Sequence, residues 1–147
     1  MRTPSQHLAL GVAAALTIVA CAKVPYTNRS QFRLIPDGQM NATGAQAYDQ
    51  MLAQVQVKRK GTDAKTLQRV GERVAAVADE PKFAWAYALI ADPQLNAWCL
   101  PGGKIGFYEG ILPVLQSEAG MSFVMGHEVG HAVARHGAER MSQQLAT

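Results

Sequence analysis

MSFVMGHEVGHAVA, residues 121–134, contains no ionisable side chain except two histidines and one glutamate. A run this apolar, without proline, predicts a helix buried on most sides. On such a helix His127 and His131 lie on one face, one turn and roughly 6 Å apart, so both imidazoles can reach a single metal ion. Glu128 points to the side. A metal such as zinc lowers the pKa of water to about 7, and a nearby carboxylate can take its proton and hand it to a leaving amine. A carboxylate in apolar surroundings needs a partner, and that water would serve. His127 and His131 are therefore candidate ligands to one Zn2+ per chain, and Glu128 is the candidate base. His136 falls on the opposite side of a continuous helix and is expected to face solvent or to stand behind the ligands.

Working back from this helix, the pattern reads α, then β, then α. Within residues 40–57, Gly44, Tyr48, Met51, Leu52 and Val55 share one stripe; Leu67, Val70, Val74 and Val77 form another, stopped by Asp79-Glu80-Pro81. Lys58-Arg59-Lys60 before Gly61 reads as a helix C-terminus. From Phe83 to Leu89 large residues alternate with alanines, which predicts a strand with one bulky face and one smooth face that lies near a helix. Leu95–Leu100 and Lys104–Tyr108 read as further strands around a Pro101-Gly102-Gly103 turn, with a short helix near 111–115. The expected fold is α+β: two helices, a small, mainly antiparallel sheet with a hairpin, and the buried histidine helix. Lys104, Ile105, Gly106, Phe107 and Tyr108 are expected to form an exposed edge that binds an extended peptide, Gly106 allowing close backbone approach.

The other end of the chain suggests where it works. Leu8–Ala20 is apolar, has the length of a signal-peptide core and follows Arg2 and His7. It ends in Ile18-Val19-Ala20-Cys21, which resembles a bacterial lipoprotein signal, so Cys21 is the expected lipidation site and mature N-terminus. Lipidation supplies enough hydrocarbon for stable membrane anchoring. Lys23 stands close to where an aspartate would signal retention at the inner membrane, favouring the outer membrane, facing the periplasm. The expected organisation is a signal peptide over 1–20, a lipidated tether over 21–36 and, over 37–147, the N-terminal part of the domain that carries the histidine helix. Without Arg2, 13 basic residues stand against 11 acidic ones, too weak a balance to suggest nucleic acid. With Cys21 lipidated, Cys99 has no disulfide partner.

The series Asn96-Ala97-Trp98-Cys99-Leu100-Pro101-Gly102-Gly103-Lys104-Ile105, Tyr108-Glu109-Gly110-Ile111-Leu112, Gly126-His127-Glu128-Val129-Gly130-His131 and Ala134-Arg135-His136 resembles the forty-eighth metallopeptidase family. The segments Val24-Pro25-Tyr26-Thr27-Asn28-Arg29, Leu34-Ile35 and Gly44-Ala45-Gln46-Ala47-Tyr48 resemble its periplasmic lipoprotein branch. The resemblance implies a gluzincin-like fold, polypeptide substrates and a glutamate on a later helix as third zinc ligand. Glu139 lies about 12 Å beyond His131 on a continuous helix, and Glu118 nine residues before His127, so neither suits that role. Glu109 and Asp92 fall in loops. The third ligand is thus expected downstream of Thr147, in a longer protein of which this chain is the N-terminal part. A zinc endopeptidase acting on envelope proteins in quality control is the expected function; a non-catalytic lipoprotein with a holdase or assembly role is the alternative.

Overall fold

A computed structural model describes residues 21–24 and 28–146; the expected signal segment 1–20 and the side chain of Cys21 lie outside the described residues. In chain order the elements are β1 (Cys21–Lys23), β2 (Ser30–Phe32), α1 (Asp37–Leu52), β3 (Val57–Lys58), α2 (Thr62–Ala78), β4 (Ala86–Ile90), β5 (Ala97–Leu100), β6 (Lys104–Tyr108), a 3-10 turn (Glu109–Ile111), α3 (Leu112–Leu115), α4 (Glu118–Val133) and α5 (His136–Leu145). The α+β class is as expected.

The sheet is mixed, with order β3-β4-β6-β5. β4 and β6 run parallel, Ala86 opposite Lys104 through Ile90 opposite Tyr108, while β3–β4 and β5–β6 are antiparallel. The expected hairpin sheet is therefore corrected at its centre: β6 returns from the Pro101-Gly102-Gly103 turn to lie between β4 and β5. The expectation that Lys104–Tyr108 is an exposed edge is overturned, because both of its edges are hydrogen-bonded within the sheet.

Phase along the strands decides what each face carries. Leu89, Ile105 and Phe107 pack against Leu67 and Val70 of α2 and Met121, Met125, Val129 and Val133 of α4, forming the buried core. Fully burying each large apolar side chain contributes roughly 1.5–3 kcal/mol. On the other face Ala88, Gly106 and Trp98 are opposite one another in register and so share a side. The Trp98 indole lies over Gly106, and Tyr48 of α1 meets it edge-on at 6.0 Å. Helices thus serve both faces, α2 and α4 on the bulky one and α1 on the smooth one. Phe83 and Trp85 precede the strand and stack edge-to-face at 5.2 Å.

Three local expectations change. Helix α1 ends at Leu52, so Lys58 belongs to a strand and Gly61, at φ 103°, stands at the start of α2 instead of closing a helix. Helix α4 is buried along a single stripe, not on most sides: Phe123 is 79% exposed, and His127 and His131 are exposed as well. Within the expected tether, Cys21–Lys23 and Ser30–Phe32 pair as an antiparallel hairpin, with Val24 and Gln31 buried.

A Cβ on Gly106 would sit 2.2 Å from the Trp98 ring, whereas one on Gly126 would meet nothing within 4 Å. Gly106→Ala should therefore destabilise the protein by roughly 1–3 kcal/mol through overpacking. Gly126→Ala, in mid-helix, should stabilise it by about 0.5–1 kcal/mol. Denaturant unfolding of the two variants checks the contrast, and equal effects would show that Trp98 can move aside at no cost.

Candidate active site

Helix α4 opens at Ser117, whose hydroxyl accepts from the Gly120 N–H at 3.1 Å, with Glu118 in the first turn where the dipole favours an acid. Its buried residues, Met121, Met125, Val129 and Val133, recur every fourth position. Each of the two histidines stands two residues after a member of this stripe, about 200° around the axis. Burial of the stripe therefore turns both imidazoles away from the core. Their Nε2 atoms lie 3.1 Å apart, with the rings at 85°. Two ligands of a tetrahedral zinc at 2.0–2.1 Å would be about 3.3 Å apart, so this pair fits an edge of such a site.

His131 opens onto a cleft of about 330 Å³ lined also by Glu128, Cys99, Pro101, Phe83, Glu80 and Asp37 among others. Glu128 is half-buried there, next in sequence to one ligand and facing the same space. Cys99 is not a second nucleophile. Burial, and then the nearby Glu128 carboxylate, push its thiol up to about 12, so it stays protonated at neutral pH. It is a free cysteine.

The helix does not continue past the site. It ends at Val133, and Arg135 adopts the left-handed conformation at φ 56°, an uncommon choice for a residue with a side chain. The turn is held by Arg135 itself, whose Nε lies 3.0 Å from Asp37 and whose Nη1 donates to the Val133 carbonyl at 2.9 Å and approaches Glu80 at 3.6 Å. Gln31 of the hairpin adds a bond from its Nε2 to the Ala134 carbonyl at 2.6 Å. Because the chain turns here, His136 is not on the far side of a long helix. Its Nδ1 lies 2.8 Å from Nδ1 of His131, the position behind the ligand that the sequence allowed. The break also removes the premise on which Glu139 was excluded, a continuous helix. Glu139 is instead engaged elsewhere, accepting from Arg29 at 2.9 and 2.6 Å and from Gln31 at 3.1 Å.

The other carboxylates weighed as ligands are also occupied. Glu118 pairs with Arg69, Glu109 with Lys58, and Asp92 accepts the Gln94 N–H at 2.9 Å. Among the described residues no group of three His, Cys, Asp or Glu side chains is arranged to hold a metal ion. Sequence reasoning missed Arg135, Asp37 and Gln31 as supports of the site. Only the Ala134-Arg135-His136 segment was visible, and it carries no turn signal before Gly137.

Two outcomes follow from these environments. At pH 8 iodoacetamide should label Cys99 roughly a hundredfold or more slowly than free cysteine, followed by mass spectrometry of its peptide; rapid labelling would mean an exposed thiolate. The Arg29 hydrogen bond holds the Glu139 carboxyl below its usual range. Its pairing stabilises hairpin docking above the ordinary carboxylate pKa of about 4.3 and is lost as pH falls through the lower folded value. Exchange of the Leu34 amide, which donates to Ser142 Oγ at 2.9 Å, should speed up in that acid range, and Arg29→Ala should abolish the step.

Several metalloendopeptidases are similar to this chain in sequence. The chain is 34% identical over 122 residues to the mitochondrial metalloendopeptidase OMA1 of Schizosaccharomyces pombe, covering 81% of this chain and 36% of that protein. It is 40% identical over 81 residues to OMA1 of Arabidopsis thaliana, covering 55% of this chain and 17% of that protein. A putative beta-barrel assembly-enhancing protease of Vibrio cholerae is 32% identical over 78 residues, 53% of this chain and 16% of that protein. The chain thus spans about a third or less of the length of these relatives. The profile of Peptidase family M48 matches residues 62–147, more than half of the chain and including His127, Glu128 and His131, and the chain belongs to that family.

Proposed function

We propose that this chain carries the metal-binding core of a zinc-dependent metalloendopeptidase that cleaves proteins of the bacterial envelope. The observation that carries the reading is the His127–His131 pair, with Nε2 atoms 3.1 Å apart and Glu128 lining one cleft with His131. Zinc, when bound, supplies Lewis acidity and an activated water. Glu128 then accepts a proton from the attacking water and delivers it to the departing amine. In this reading a carboxylate completes the ligand set, and Glu109, Glu118 and Glu139 each pair with a basic residue instead.

Substrate recognition moves from β6 to β5. Among the described residues Ala97–Leu100 pairs on one side only, and Cys99 and Pro101 line the cleft beside Glu128 and His131. An extended peptide hydrogen-bonding to this edge would lie along the histidine helix, with main-chain contacts giving tolerance of sequence.

The envelope setting is supported by the apolar Leu8–Ala20 segment ending in Cys21 and by the match to a beta-barrel assembly-enhancing protease. In this reading Cys21 is lipidated and anchors the protein at the outer membrane, within its family's periplasmic lipoprotein branch. Its substrates are misfolded or unassembled envelope polypeptides. No helix among the described residues is long and apolar enough to cross a membrane.

With the complete zinc site present, Glu128→Gln should keep the metal and lower casein cleavage by about 10²–10⁴-fold, while His127→Ala or His131→Ala should lose both. Residues 22–147 alone should bind zinc weakly and cleave little. Stoichiometric zinc with chelator-sensitive proteolysis from that segment would place a third ligand within it. Unaltered suppression of substrate aggregation by Glu128→Gln, with no cleavage by the unmodified protein, would instead favour a holdase.

A further inference from the structure

We propose that His136 is a positioning residue for the metal ligand His131: its Nδ1 accepts the Nδ1–H of His131 and so fixes the tautomer whose Nε2 lone pair faces the metal. The inference rests on the zinc reading of His127 and His131. It starts from two contacts on one imidazole, Nδ1 of His131 at 2.8 Å from Nδ1 of His136 and Nε2 of His131 at 3.1 Å from Nε2 of His127.

A neutral imidazole has one N–H and one lone pair, so the two contacts are coupled. If His136 donates, the proton of His131 must sit on Nε2, and that nitrogen cannot ligate. With His136 accepting, Nδ1 of His131 carries the proton and Nε2 is free for the metal. Only this second polarity suits a ligand, and it also satisfies the metal-free contact, in which Nε2–H of His127 donates to Nε2 of His131. The remaining proton of His136 is then on its own Nε2. Ligating histidines characteristically bond their second nitrogen to an outer partner that sets tautomer and ring orientation. Here the partner is an imidazole, and the fold provides it by a specific device. The left-handed Arg135 turns the chain back immediately after α4, and bonds to Asp37 and the Val133 carbonyl hold that turn. A helix running on through residue 136 would carry this ring away from His131.

The test uses the 147-residue chain and its His136→Ala and His136→Asn variants, Asn Oδ1 standing in for the accepting nitrogen. Long-range ¹H–¹⁵N spectra of the metal-free proteins at about pH 8.5 report the tautomer of His131 directly. Nδ1–H is expected in the unaltered chain and in His136→Asn, and Nε2–H or a mixture in His136→Ala. Zinc affinity, by competition with a chromophoric chelator, should fall roughly 10- to 100-fold in His136→Ala and recover in His136→Asn. Circular dichroism checks that all three share one fold. Unchanged tautomer and affinity in His136→Ala would overturn the proposal, as would an Asn variant no better than Ala. If no protein binds zinc but the tautomer shifts as expected, the histidine pairing stands and the two-histidine zinc site proposed for this chain is what fails.

Discussion

Burial of one four-residue stripe on α4 is the constraint from which the site follows. Met121, Met125, Val129 and Val133 must face Ile105, Phe107 and Leu89 for the core to close. Once they do, the helix has no rotational freedom left. At 100° per residue, His127 and His131 can only point away from the core, and Glu128 can only stand at the side of the stripe. Packing in this way sets the orientation of polar groups that do not themselves contribute to the core. A slip of two residues in the helix phase would bury the histidines and expose methionine, at a cost of roughly several kcal/mol.

Rotation alone does not fix position along the axis or the direction of the following chain; polar bonds at the end of α4 do that. Arg135 joins the start of α1, through Asp37, to the end of the histidine helix, and Gln31 ties the N-terminal hairpin to the carbonyl of Ala134. Gln31 is almost wholly buried; its Nε2 has exchanged water for these partners while its Oε1 has none, and losing them would leave the donor unsatisfied too. Segments more than a hundred residues apart in sequence thus converge on the turn that presents His136. The geometry of the ligand pair depends on contacts that no local reading of residues 121–136 contains.

That division explains what could be read from the chain. Helical stripes were legible in part because they are local and periodic: Gly44 and Tyr48 are buried on α1 and Leu67 and Val70 on α2, whereas Val55 falls beyond the end of α1 and Val77 is 83% exposed. The strand Lys104–Tyr108 has the expected bounds, and both histidines lie on one helix. The errors were non-local or capping errors. Strand order depends on a crossover that places β6 inside the sheet. The cluster Lys58-Arg59-Lys60-Gly61 looked like a helix end because cations and glycine also occur at strand and loop junctions. The turn at Arg135 lacked a signal because its left-handed residue is stabilised by partners from α1 and from the segment before β4, through Asp37 and Glu80, instead of by being glycine.

The central place of β6 was nonetheless written in its composition. Ile105, Gly106 and Phe107 are consecutive and all buried, which an edge strand with one wet face would not tolerate. In β5 every residue is only partly buried, the pattern of a strand that borders the sheet. Gly106 belongs to the same logic, since its missing side chain leaves room for the Trp98 indole contributed by β5. The ring covers the smooth face of the sheet, while Cys99, pointing the other way, lines the cleft with Glu128 and His131. Alternation along β5 therefore divides the strand's work between closing the sheet and bordering the site. Its unpaired backbone edge is left beside the histidines, where an extended chain could be held against them.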